Sequence, residues 1–332
     1  MQPPDKPEVV LHIGGAKCGS SAIQAYLSQN ESALAAKGIG VPGLDLDFKS
    51  EVTGEQIWFF ERSAADGGAS IGEKLAKLLD VAGAKGLNKI VVSAENLCNH
   101  PALAKRFADA LQSVSTKVVF YVRRQDDFLI SSWQQWNLKR FASLEAFLEA
   151  RLPRDARWFN MVSPWAHAFG DAQICVRPFR RNVLFNGDVV EDFFKVIDVP
   201  QDGLVPLKRN ANPSFDEALA RLAHRVRDLF DTPHDNRFYD VMARLLGEDA
   251  LKTSKASSLM DLETRQRICE AHSRENEELR KRFLPDFPHP LFESPTGNDV
   301  RVLTDAEKLS EEMAMLTRSV YALASRMEGS NA

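Results

Sequence analysis

A lysine set inside a glycine turn is the first place in this chain where residue types and spacing point to chemistry. The run Gly14-Gly15-Ala16-Lys17-Cys18-Gly19-Ser20-Ser21 follows the apolar stretch Val9-Val10-Leu11-His12-Ile13 and precedes a helical pattern. Glycines there let the backbone turn with positive φ and approach a ligand closely, and the N–H groups opening the next helix converge on an anion. A phosphate or a sulfate group suits such a cradle. A nucleotide-triphosphate loop sets its lysine directly after the last glycine, followed by Ser or Thr, whereas Lys17 stands ahead of Gly19.

A second constellation follows a later apolar run, Tyr121-Val122-Arg123-Arg124-Gln125-Asp126, with Ser131 further on. An arginine at the carboxyl end of a central strand sits at the ligand edge of a doubly wound sheet. A helix starting near Gln125 or Asp126 puts Ser131 about two turns in. Taken alone, two arginines after a strand are more often solvated or carboxylate-paired, and Arg124, Lys208 and Arg209 read as surface charges or as extra charge near a bound phosphate. Glu95, after the run 89–93, reaches the same sheet edge and is the candidate general base. Its alternative is a carboxylate that bonds the glycine loop or caps the helix opening near Pro101. His100 is a second candidate base, and His12, inside the first strand, reads as a core histidine bonded to a neighbour.

Cys18 sits where a helix N-terminus can depress a thiol pKa. A phosphatase loop would need an arginine six positions later, where this chain has Gln24. Cys18 is therefore expected to contribute its backbone N–H, with thiol modification felt at the site. Trp133, Trp136 and Phe141 are candidates for an acceptor cleft or for core packing.

The elements that must position these groups are legible as apolar runs at 8–13, 89–93, 117–122 and 173–176, each nearly all apolar as in buried parallel strands. Helical patterns lie between them, at 71–82 (Ile71, Leu75, Leu78, Leu79) and 101–112 (Leu103, Phe107, Leu111). Strands separated by helices predict a parallel sheet. From about 126 onward the pattern is mostly helical, with Asn210-Ala211-Asn212-Pro213-Ser214 as a loop. The C-terminal segment opens on the capping box Thr304-Asp305-Ala306-Glu307 and carries Leu309, Met313, Leu316, Val320, Leu323 and Met327 at spacings of four and three. Docking of that stripe on the chain's own core is the expectation, and a seam with a second subunit is the alternative, leaving a homodimer open.

The chain has 332 residues, 44% hydrophobic and 27% charged, enough for one large α/β domain with helical additions. A net charge of -4 gives no general reason to bind nucleic acid or an anionic membrane, so an anion site must be local. Four cysteines at 18, 98, 175 and 269 form neither metal-type pairs nor a dense disulfide pattern. With no signal-peptide layout and no long apolar run, a soluble cytoplasmic protein is expected.

Together the two constellations resemble the sulfotransferase family that uses 3′-phosphoadenosine 5′-phosphosulfate (PAPS), and bacterial, carbohydrate-sulfotransferase-like members in particular. In that family the first strand leads into Pro-Lys-x-Gly-Thr-Thr, and Ala16-Lys17-Cys18-Gly19-Ser20-Ser21 stands in its place. Ala16 replaces the proline and removes some turn rigidity. The family's arginine and the serine eight residues on match Arg123 and Ser131. Further echoes are Lys37-Gly38-Ile39-Gly40-Val41-Pro42, Ser93-Ala94-Glu95-Asn96, Arg177-Pro178-Phe179, Arg209 to Ser214, and Glu275-Asn276.

The resemblance implies a P-loop-containing three-layer α/β fold with a central, mainly parallel sheet and a helical C-terminal extension. It implies a sulfotransferase domain over 1–300, with the segment 301–332 packing as a helix on the core or on a partner. It implies that Gly15, Ala16, Lys17, Cys18, Gly19, Ser20 and Ser21 hold the 5′-phosphosulfate, that Arg123 and Ser131 hold the 3′-phosphate, and that Lys17 and Glu95 are catalytic. No metal is expected. The product is adenosine 3′,5′-bisphosphate, and the expected acceptor is a carbohydrate hydroxyl, with a lipid or small-molecule alcohol behind it. The rival readings are a non-catalytic nucleotide-binding protein and a Mg-dependent kinase-like phosphotransferase in which Glu95 or Asp126 helps hold the ion.

Overall fold

Five parallel strands pair in the order β2-β3-β1-β4-β5 in the computed structural model, which describes residues 6–53, 60, 69–207, 216–247, 251 and 256–329. They are β1 (Glu8–His12), β2 (Ile39–Gly40), β3 (Lys89–Ser93), β4 (Thr116–Val122) and β5 (Ile174–Pro178). The four apolar runs are the four longer strands. The edge strand β2 has only two residues, too short to carry a periodic signal, and pairs Ile39 with Lys89.

The central strands are buried on both faces, as continuous apolar runs require. Val10, Val91, Val119 and Tyr121 share one cluster with Ile23 and Leu27 of the helix Ser20–Gln29 and with Phe193 and Phe194 of the helix Val189–Val196. The alternate residue Phe120 meets Trp158 at 6.0 Å, and Phe107 meets Trp165 at 5.8 Å. Helices Ala69–Ala84, Pro101–Leu111 and Trp158–Phe169 supply that second face. The result is a three-layer α/β arrangement with helices on both sides of a parallel sheet.

One carboxylate ties the first of these layers to the sheet. Asp192 is buried and accepts from the Tyr121 hydroxyl at 2.8 Å, from Arg177 Nε at 3.0 Å and from the Phe185 N–H at 2.9 Å. A buried charge needs this many donors to offset its lost hydration. Burial beside that carboxylate pushes the Tyr121 hydroxyl pKa up.

The chain divides into two compact units. The sheet and its helices belong to the first, Met1–Arg123, Arg157–Asn212 and Glu275–Leu291; the second comprises Arg124–Ala156, Pro213–Arg274 and Phe292–Ala332. The second unit is helical. Its ionic centre is Asp126, fully buried, gripped by Arg265 Nε at 2.6 Å and by Arg124 Nε at 2.7 Å. Arg124 also reaches Asp299 Oδ1 at 3.0 Å, so it is carboxylate-paired. Trp133 is buried against Phe147 at 5.5 Å and His224 at 5.2 Å, which makes it core. Phe141 likewise packs on Phe147 at 5.5 Å. The expected loop 210–214, with Lys208 and Arg209, lies outside the described residues.

The C-terminal helix, Asp305–Gly329, starts at the anticipated capping box, with Thr304 N–H donating to Glu307 at 2.8 Å and Glu307 N–H to Thr304 Oγ1 at 3.2 Å. Its docked face is Glu312, Met315 and Ser319, buried beside helices Glu217–Arg225 and Arg237–Leu246. Glu312 is held by Arg221 at 3.0 Å and Arg225 at 2.6 Å. The apolar stripe expected to dock on the core is turned outward instead, because these two guanidinium groups claim the face that holds Glu312.

Candidate functional site

The sheet order places the glycine turn at the carboxyl end of the central strand, where connections leave in both directions and ligands bind in doubly wound sheets. Both flanks are braced. Cys98 N–H donates to Ile13 O at 2.9 Å and Ala94 N–H to His12 O at 3.0 Å on the β3 side, while Tyr121 N–H donates to Gly14 O at 3.2 Å on the β4 side. His12 Nδ1 lies 2.8 Å from Ser93 Oγ, which also accepts from Gln24 at 3.3 Å. His12 is thus the core histidine anticipated, and burial lowers its pKa to about 3.

Two glycines are demanded by this squeeze. A Cβ on Gly14 would stand 1.5 Å from Glu95 O, and one on Gly15 would stand 2.0 Å from Tyr121 O. Both have positive φ, 103° and 92°. The loop therefore threads between the ends of β3 and β4 with backbone against backbone, a path closed to any side chain. It continues with Lys17 itself in the left-handed region, φ 63°, and with Gly19 at φ 85° as the N-cap of the helix Ser20–Gln29. That cap offers no side-chain hydrogen bond and the first turn has no acid. The initial N–H groups of a helix have no intrahelical acceptor, and the helix dipole adds partial positive charge there. An anion is the natural complement.

Arg123, just past β4, donates through Nη1 to Lys17 O at 3.0 Å. Its own carbonyl accepts from Trp158 Nε1 at 2.8 Å, and its guanidinium lies 5.8 Å from the Phe179 ring centre. A guanidinium has five N–H donors in a fixed fork, so the bond to the loop leaves capacity for an oxyanion. Lys17 is half-buried, and burial lowers its ammonium pKa to about 8, with the Glu95 carboxylate opposing and Arg123 reinforcing that shift. Lys17, Arg123 and Glu95 therefore share one electrostatic environment. His100 holds the N-cap position of the helix Pro101–Leu111, so Glu95 is not that helix's cap.

Cys18 is 1% exposed and burial raises its thiol pKa, which corrects the expectation of a thiol open to modification. Ser131 is buried on the helix Gln125–Gln135 of the second unit, whereas Arg123 ends the first unit's opening segment, so their pairing stands on spacing alone. Gly15, Ala16, Gly19, Ser20 and Ser21 all lie in the loop or on the first turn after it.

Comparison with known proteins adds little to this geometry. No family model matches the chain. An uncharacterized protein of Archaeoglobus fulgidus is 27% identical over 180 residues, 54% of this chain and 49% of that protein, so the chain spans about half the length of the curated relative it matches. A solved structure, a sulfotransferase from Alicyclobacillus acidocaldarius, aligns at 20% identity and a TM-score of 0.41 over 67% of this chain and 94% of its own. A likeness at that level carries no argument about activity.

Sequence reasoning passed over Trp158 and Tyr121 as parts of the site. Trp158 anchors the Arg123 carbonyl from a distant helix, and the carbonyl of Tyr121 sets how close Gly15 must come. Neither leaves a local pattern.

Proposed function

We propose that this protein transfers a sulfuryl group from PAPS to an acceptor hydroxyl. The observation that carries the reading is Lys17 in the left-handed conformation inside the braced glycine turn, its carbonyl tied to Arg123. The 5′-phosphosulfate would take N–H groups between Lys17 and Ser21, but not the Cys18 N–H expected to contribute, because that one donates to Gly15 O at 3.1 Å. The acceptor oxygen forms a bond to sulfur as the bond from sulfur to the bridging oxygen breaks, and the electron pair leaves with the 5′-phosphate. Lys17 would meet that growing charge, electrostatic stabilisation of the oxyanion-hole kind. Glu95 would take the acceptor's proton. Arg123, with a planar fork suited to a dianion, is assigned to the 3′-phosphate. A carbohydrate hydroxyl is the proposed acceptor.

The kinase-like reading is weaker because one of its two metal carboxylates, Asp126, is held by Arg124 and Arg265. A non-catalytic binder would have little use for a lysine and a carboxylate in one electrostatic environment. The cysteines are free, as suits a reducing compartment, and the proposed location is the cytoplasm. No described helix is long and apolar enough to cross a membrane.

Thermal shift with adenosine 3′,5′-bisphosphate and with ATP, each with and without Mg²⁺, tests the proposal. Metal-independent stabilisation by the bisphosphate is expected. Stabilisation by ATP and Mg²⁺ alone overturns the reading in favour of phosphoryl transfer.

A further inference from the structure

The C-terminal helix shows solvent an unbroken apolar seam. Leu309 is 50% exposed, Met313 55%, Leu316 41%, Val320 66%, Leu323 51% and Met327 62%. Single exposed apolar residues are ordinary, but a contiguous patch is not. These six follow a heptad through the whole helix, leucine at every d position and Met, Val, Met at a. The helix is already docked on its own unit through a different face, that of Glu312, Met315 and Ser319. The seam is therefore not needed for that docking, and no charge interrupts it.

We propose that the seam is occupied by the same helix of a second copy of this chain, running antiparallel. Self-pairing about a two-fold axis level with residue 318 uses every seam residue: Leu309 stacks with the partner's Met327, Met313 with the partner's Leu323, and Leu316 with the partner's Val320. The closest flank carries Ser310, Thr317 and Ala324, small and uncharged, so two copies approach without burying a charge. Charge along the helix sets the direction. Glu311 and Glu312 are held by arginines of their own unit, so Asp305 and Glu307 against Lys308 leave its first part acidic, while Arg318 and Arg326 against Glu328 leave its last part basic. Antiparallel pairing sets the basic part of each copy beside the acidic part of the other and aligns the helix dipoles favourably; parallel pairing sets like beside like. Six half-exposed side chains per copy make a patch of a few hundred Å², at the low end for specific association, so the dimer is reversible. This contact is isologous and closes at two subunits.

Sedimentation equilibrium across a dilution series, with single-cysteine crosslinking, tests it. The expected result is a monomer–dimer equilibrium that Leu316→Glu and Val320→Glu each shift to monomer with an unchanged melting temperature. Tyr321→Glu, on an exposed position beside the seam, keeps the dimer. Under oxidation Thr317→Cys crosslinks copies across the two-fold axis and Val320→Cys does not. A monomer at every concentration overturns the proposal, as does a dimer indifferent to both glutamates. Crosslinking through Val320→Cys and not Thr317→Cys overturns the antiparallel direction.

Discussion

Arg123 donates through its guanidinium to the carbonyl of Lys17 at 3.0 Å, across a sequence separation of 106 residues. This bond fixes the peptide that follows the lysine, the same one that presents the Cys18 N–H toward Gly15 O at 3.1 Å. Arg123→Ala is expected to weaken binding of adenosine 3′,5′-bisphosphate more than tenfold, since losing one partner of a desolvated anion costs about 2–5 kcal/mol. Arg123→Lys keeps the charge but not the fork and is expected to recover only part of the affinity. Isothermal calorimetry decides it, and an unchanged dissociation constant for the alanine variant removes Arg123 from the anion site.

Lys17→Met is expected to lower turnover by about 10²–10³, the loss seen when one oxyanion donor is removed. Affinity should depend on pH as well. In the free protein the ammonium loses its proton as pH rises through about 8, and a bound anion favours the charged form. Affinity for the bisphosphate is therefore full below pH 8 and falls by up to tenfold per pH unit above it, with proton uptake on binding. Calorimetry in two buffers of different ionisation enthalpy measures that uptake, and Lys17→Met should abolish it.

Glu95→Gln separates base from scaffold. As the proposed base, its loss should lower turnover while leaving bisphosphate affinity within a few-fold of wild type. Steady-state rates against binding isotherms give the split, and intact turnover places the base elsewhere.

The glycine squeeze makes a stability prediction that involves no ligand. Gly15→Ala forces a Cβ to within 2.0 Å of Tyr121 O and is expected to cost more than about 3 kcal/mol. Gly203→Ala, also at positive φ but with nothing within 4 Å, should cost only the left-handed strain of about 1–2 kcal/mol. Urea denaturation ranks the two.

His12 gives the fold an acid-sensitive element. Its folded pKa, about 3, lies below the unfolded value of 6.5, so the unfolded chain binds the extra proton between those limits. Stability is full above pH 6.5 and declines as pH falls toward 3, by an amount on the order of 4 kcal/mol. His12→Asn should flatten that part of the stability-against-pH curve.

The anion loop could be read from the chain because it is local: strand, glycines, lysine and helix start lie within 8–21, and the strand residues and glycines each have a backbone reason to be there. The four longer strands were legible for a similar reason, since burial on both faces leaves continuous apolar runs. The residues that brace the loop could not be read. Tyr121 and Trp158 act through long-range backbone and hydrogen-bond contacts that impose no spacing. The C-terminal stripe shows the limit most plainly. Its heptad and capping box determined a helix with one apolar face, but which face docks was decided by Arg221 and Arg225 meeting Glu312. A buried carboxylate must be paired, and only tertiary structure brings those partners to it.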